Sequence, residues 1–184
     1  MPANAVLLIG PTASGKSELA INLVNRFPME IISVDSAMVY RGLDIGTAKP
    51  DPMIRSQIPH HLIDVLDPAD AYSCARFRAD ALAHMQKIRE QNKIPLLVGG
   101  TMLYFRSIQF GIAAIPAVDP KIREKLTQLA KSQGLGSLYA RLEQVDPKAA
   151  MRIHAHDPQR IIRALEVYEA GHKPLSDYWS DNEP

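Results

Sequence analysis

The residues Gly10-Pro11-Thr12-Ala13-Ser14-Gly15-Lys16-Ser17, directly after the apolar run Val6 to Ile9, match the phosphate-binding loop pattern G-x-x-x-x-G-K-[ST] at every fixed position. Such a loop works only between a strand and a helix, so it constrains the fold as well as the chemistry. Gly10 and Gly15 supply backbone freedom that a Cβ would penalise. Consecutive amide N–H groups can then converge on phosphate oxygens at the positive end of the following helix. Lys16 adds a mobile cation, and the hydroxyl of Ser17 can ligate Mg²⁺. Gly10 to Ser17 is therefore expected to grip a polyphosphate, without saying which one.

The surrounding pattern agrees. Leu19, Leu23, Val24 and Phe27 recur at helical spacing until Pro28, completing a βα unit. Glu30 to Val34 reads as a second strand ending at Asp35, Leu62 to Val65 as a third, and Ile94 to Val98 as a fourth ending at Gly99-Gly100. Ser73 is placed to cap a helix with Phe77, Ala81, Met85 and Ile88 on one face. Strands with interposed helices predict an α/β, P-loop NTPase-like core over residues 1–115, a mostly parallel sheet flanked by helices on both faces.

Beyond a linker at Ile112 to Val118 the pattern turns wholly helical. Asp119-Pro120, Asp146-Pro147 and Asp157-Pro158 each place a capping carboxylate before a proline suited to the first helical position. The stripes Ile122/Leu126/Leu129, Leu138/Leu142/Val145 and Ile161/Leu165/Tyr168, the last closed by Gly171, predict a small helical insertion subdomain over 116–175. The polar residues 176–184 are expected to fray.

Composition narrows the class. At 184 residues, 46% hydrophobic and 22% charged, the chain suits one good core and a small appendage. No apolar stretch approaches the roughly 20 residues a membrane span needs, and no basic-then-apolar signal opens the chain, so a cytoplasmic protein is expected. A lone Cys74 excludes an intrachain disulfide and a cysteine-based zinc cluster. Asp119 to Lys173 carries ten Lys/Arg against seven Asp/Glu, a weak basic bias that suits either a polyanion partner or a solvated helical surface.

Phosphoryl-transfer enzymes with this loop usually hold Mg²⁺ through an aspartate ending another core strand. Here Pro95 to Val98 ends in Gly99-Gly100-Thr101, and Asp35 is the one carboxylate ending a credible core strand. Strand C-termini of an open parallel sheet face one ligand crevice, so Lys16, Asp35 and Thr101 are expected to meet there. A turn cap is the plainer role for Asp35, and a helix N-cap for Thr101. His60 and His61, adjacent on a strand, face opposite sides and suit hydrogen bonding better than a shared metal. Gly46 to Pro50 reads as a phosphate contact or an ordinary turn.

The segments GPTASGKS (10–17), DSAMVYR (35–41), DIGTAKP (44–50), PHHLID (59–64), GGTMLY (99–104) and DPQRIIRALEV (157–167) run in order over essentially the whole chain. Together they resemble the tRNA dimethylallyltransferase family. The family often has DSMQ where this chain has Asp35-Ser36-Ala37-Met38, and GGTGLY where it has Met102. The resemblance implies transfer of a dimethylallyl group from dimethylallyl diphosphate, with Mg²⁺, to the exocyclic amine of an adenosine beside the tRNA anticodon. It implies Asp35 as the proton acceptor, with Lys16 and Thr101 acting on the departing diphosphate. It further implies RNA contacts at Asp35, Ser36, Ala37, Met38, Thr101, Arg123, Gln159, Arg160, Ile161, Ile162 and Arg163. The expected partner is the anticodon stem-loop, and a monomer is expected. Relatives usually continue beyond the position of Pro184 with helices and a strand, so the chain is expected to be the shortened form of such an enzyme. From the residues alone, three other readings stay open: a small-molecule kinase, a transferase acting on free adenine nucleotides, and a silent RNA-binding remnant.

Overall fold

A computed structural model of the chain describes residues 5–113, 115 and 118–179. They divide into two compact units meeting at Ile112 and Ala113, three residues before the expected boundary. Of the expected linker, Ala114, Pro116 and Ala117 lie outside the described residues. The first unit runs β1 (Val6–Ile9), α1 (Lys16–Arg26), β2 (Met29–Val34), α2 (Pro52–Gln57), β3 (His60–His61), α3 (Cys74–Glu90), β4 (Ile94–Gly99) and α4 (Met102–Phe110). Its strands form a parallel sheet in the order β1-β4-β2-β3.

The two most continuously apolar strands, β2 and β4, take the centre, where both faces are covered. Ile31 and Leu96 face Ala20 of α1, whereas Ile32, Val34 and Leu97 face Phe77, Ala81, Met85 and Ile88 of α3 and Tyr104 and Phe105 of α4. Ser73 Oγ accepts from Arg76 N, so the expected cap and the expected buried face of α3 are both present. Pro95 is tolerated inside β4 because Ile94 N donates toward β2, to Pro28 O. The missing N–H of Pro95 therefore faces β1, whose pairing begins only at Val6 opposite Leu96. The start of β2 is tied down by its buried Glu30, which accepts from His61 Nε2 at 2.8 Å and from Lys93 at 2.5 Å.

One strand differs from expectation. Leu62 to Val65 is not extended, because Leu62 and Asp64 take φ of 63° and 55°, and only His60–His61 pairs with β2. The segment instead turns against the residues after β2, with Asp64 N donating to Met38 O and Val65 N to Val39 O.

The second unit comprises α5 (Pro120–Gln133), α6 (Leu135–Val145), α7 (Pro147–Arg152), α8 (Pro158–Gly171) and a 3₁₀ turn at Leu175–Tyr178. Asp119, Asp146 and Asp157 accept from Lys121 N, Ala149 N and Arg160 N, each at 3.0 Å. Leu126, Leu138, Leu142, Ile161 and Leu165 fill the core. Gly171 is the last helical residue, and the left-handed cap falls on His172 at φ 50°. Ser176 to Trp179 are docked, contrary to the expected fraying. Asp146, only 1% exposed, accepts from Ser176 N through its second oxygen, and Leu175 and Trp179 pack on the core. Residues 180–184 of the expected frayed end lie outside the described residues. Among the described residues no helix is long and apolar enough to cross a membrane.

β1, β4 and β2 end in register at Ile9, Gly99 and Val34. Gly99 is forced by this, since a Cβ there would overlap the backbone carbonyl of Val34. We expect Gly99→Ala to cost about 3 kcal/mol through this overpacking. Gly136→Ala, in α6 with open space around the new methyl, should add ~0.5–1 kcal/mol. Urea unfolding followed by circular dichroism checks both, and parent-like stability of Gly99→Ala would refute the close approach.

Candidate functional site

The strand ends place three loops at one edge of the sheet: Gly10 to Gly15 after β1, Asp35 to Arg41 after β2, and Gly100-Thr101 after β4. In the first loop Gly15 takes the left-handed conformation, φ 79°, and caps α1, while Ala13 is also left-handed at 62°. Gly10 is not left-handed, contrary to the expectation of conformational freedom there. Its missing side chain makes room instead, since a Cβ would stand 3.0 Å from Ser14 Oγ. Lys16 Nζ donates to Pro11 O and, at 3.2 Å, to Ser14 Oγ, so the ammonium is held over the curled loop. Thr12, Ala13, Lys16 and Ser17 line a cavity of about 200 Å³.

Asp35 lines the same cavity. Its Oδ1 accepts from Ala37 N at 2.8 Å and Met38 N at 3.2 Å, so one oxygen is a turn cap, while Oδ2 has no hydrogen-bond partner among the described residues. Thr101 occupies the N-cap position of α4, yet its hydroxyl makes no capping bond. Thr101 Oγ1 accepts from Ser36 N at 3.2 Å, and Thr101 N donates to Val34 O. These bonds stitch the end of β4 to the turn that carries Asp35. Ala37 and Met38 are cavity walls, while Ser36 and Thr101 are not among its lining residues. Ala20, Ile31, Ile63 and Val98 add apolar wall to it, and Ser33 and His60 add polar wall.

Gly46, Thr47, Ala48 and Pro50 also line the cavity, but Lys49 points away from it. The Lys49 side chain is 2% exposed and donates to Tyr40 O at 2.6 Å, Asp64 Oδ1 at 2.6 Å and Asp44 Oδ1 at 3.0 Å. Arg55 donates to the other oxygen of Asp64, and Arg41 to the carbonyls of Asp64 and Val65. Burial alone would lower the Lys49 pKa, but the bonds to Asp64 and Asp44 outweigh it and raise it. Burial alone would raise the Asp64 pKa, and Lys49 and Arg55 outweigh it and lower it. Sequence reasoning missed this anchor; Lys49 and Asp64 stand in separate segments, and only the left-handed turn at Asp64 joins them.

The two histidines bond separately: His60 Nδ1 donates to Ile58 O at 2.7 Å, and His61 turns to Glu30. Burial, ahead of any charge effect, lowers the His60 pKa and favours its neutral form. Among the described residues no group of three or more His, Cys, Asp or Glu is arranged for a metal.

In the second unit, Arg123, Gln159, Arg160, Ile162 and Arg163 line a cavity of about 690 Å³. Glu166, 2% exposed, accepts from both Arg123 and Arg163, and Arg160 pairs with Asp157 at 3.3 Å. Ile161 corrects the sequence reading. It has 0% exposed surface and belongs to the helical core, so its side chain cannot meet RNA.

Residues 38–184 match the family model described as IPP transferase. The chain is 57% identical over 178 residues to a tRNA dimethylallyltransferase of Thioalkalivibrio sulfidiphilus, covering 97% of this chain and 56% of that protein. It is 57% identical over 173 residues to one of Nitrosococcus oceani, covering 94% and 55%. Among solved structures, the full-length tRNA isopentenylpyrophosphate transferase of Bacillus halodurans is 41% identical with a TM-score of 0.58, covering 92% of this chain and 56% of that one. A eukaryotic dimethylallyltransferase acting on tRNA is 31% identical with a TM-score of 0.74, covering 94% and 43%. The chain thus spans about half the length of the curated relatives it matches.

The Lys49 anchor has a pH signature. Asp64, lowered from 3.8, contributes stability above about pH 4 that is lost as pH falls through its folded value. Lys49, raised from 10.5, contributes stability that is full below that value and lost as pH rises through the folded one. Asp64→Asn should therefore flatten the acid limb and bring the alkaline loss to lower pH. Urea midpoints from acid to alkaline pH measure both limbs, and a profile parallel to the parent's would disprove the coupling.

Proposed function

Because this chain belongs to the IPP transferase family, we propose that it transfers a dimethylallyl group from dimethylallyl diphosphate to the exocyclic amine of an adenosine beside the tRNA anticodon. The observation that carries this reading is that the phosphate loop and the Asp35 carboxylate open onto one cavity at the same sheet edge. In the reaction the amine nitrogen bonds the allylic carbon, the carbon–oxygen bond to the diphosphate breaks, and pyrophosphate leaves. The amine proton passes to Asp35, whose Oδ2 has no partner among the described residues while Oδ1 fixes the turn. Loop amides and Lys16 bind the diphosphate and stabilise the charge that grows on it. Thr101, whose Oγ1 accepts from Ser36 N, keeps its hydroxyl proton free to donate to that leaving oxygen from the cavity's edge.

The donors present fit a Mg²⁺ carried in on the diphosphate. Such an ion keeps waters and phosphate oxygens and needs only one or two protein ligands, and Ser17 would hold it. When bound it supplies neutralisation of the diphosphate charge. The apolar walls Ala20, Ile31, Ile63 and Val98 suit a short prenyl group. In the second unit Arg123, Gln159, Arg160, Ile162 and Arg163 contact the RNA, whose target base must leave its stack to react.

Single-turnover assays with labelled dimethylallyl diphosphate and unmodified tRNA test the reading. Asp35→Asn keeps a cap oxygen but no base, so transfer should fall roughly 10²-fold or more with tRNA affinity nearly unchanged. Full turnover in that variant would remove Asp35 from the chemistry, and label appearing on AMP alone would reject the tRNA acceptor.

A further inference from the structure

In the second-unit cavity, three of the four guanidinium groups are committed to carboxylates: Arg123 and Arg163 to Glu166, and Arg160 to Asp157. Arg152 differs. Its Cζ lies 4.7 Å from the centroid of the Trp179 ring, no carboxylate among the described residues pairs with it, and it is solvent-exposed at the cavity wall. The indole is itself held in place, because Trp179 packs on the helical core and the adjoining turn is tied to the buried Asp146. A guanidinium over a ring is a planar, weakly hydrated cation, and the exposed Arg152 side chain can still meet a ligand. Its complement is a flat π-surface attached to an anion, and the cavity is large enough for a nucleotide.

We infer that Arg152 and Trp179 form a stacking shelf for an unpaired base of the RNA. The inference rests on the RNA-modifying reading above and adds two residues that the sequence pattern did not single out. A single-stranded base that leaves its loop stack loses its stacking partners, and a shelf in the cavity that Gln159 and Arg160 also line replaces them. A bare phosphate would use the N–H edge of Arg152 and have no use for its plane.

Trp179 is the one tryptophan of the chain, so its emission reports on this shelf alone. The full chain is titrated with unmodified anticodon stem-loop RNA while binding is followed independently by filter retention. The expected result is a saturable change in tryptophan emission that tracks binding, a measurement needing no variant. Arg152→Ala should weaken RNA binding about ten-fold, Arg152→Lys should recover little of it, and affinity for dimethylallyl diphosphate should be unchanged in both. Full recovery by Arg152→Lys would mean a phosphate contact and overturn the shelf. RNA binding with constant emission and a normal Arg152→Ala would also overturn it, leaving the RNA-modifying reading intact. Failure of the chain to bind RNA at all would end both.

Discussion

The proposed chemistry depends on three parallel strands stopping at the same level. Ile9, Gly99 and Val34 are register partners, and each strand hands its chain to a loop at that point. The close passage of β2 beside β4 leaves no space for a Cβ at Gly99. That approach lets Thr101 N reach Val34 O and Thr101 Oγ1 accept from Ser36 N, so the turn bearing Asp35 is fixed relative to β4 by backbone donors. A site assembled from strand ends inherits the rigidity of the sheet, which suits chemistry requiring a weak nucleophile to be aligned.

Charge is handled by division of labour. Asp35 spends one oxygen on its own turn, and the other has no partner among the described residues, which leaves it available for the proposed chemical role. Lys49 could have served as a second phosphate cation on sequence grounds. Folding buries it against Asp64 and Asp44, where it holds the segment from Gly46 to Pro50 against the cavity. Leaving either partner of such a buried pair alone is costly, which makes the pair a firm anchor.

The helical unit uses buried carboxylates in the same way. Asp146 ties the start of α7 to the 3₁₀ turn, and Glu166 pairs with both Arg123 and Arg163. Arginines held by a buried anion lose less freedom on meeting a ligand than free ones. Arg152 reaches a similar state by lying over the Trp179 ring.

The sequence by itself determined the elements and their polarity. A loop of the form G-x-x-x-x-G-K-S needs a strand before it and a helix after, apolar runs mark central parallel strands, and Asp-Pro pairs start helices. These are local rules, and β1, β2, β4, α3 and the three capped helices followed them. The local rules also put the loop leading to Lys16, and Asp35, at strand ends, from which a shared crevice follows by topology. Tertiary structure decided what those rules cannot reach. The stretch after His61 bends left-handed because Asp64 answers Lys49 and Arg55, partners whose approach depends on the folded chain. Ile161 went to the core although its neighbours line the cavity, because helical pitch assigns each residue of α8 its own side. Ser176 to Trp179 docked because the second oxygen of Asp146 required a donor that only distant chain could bring.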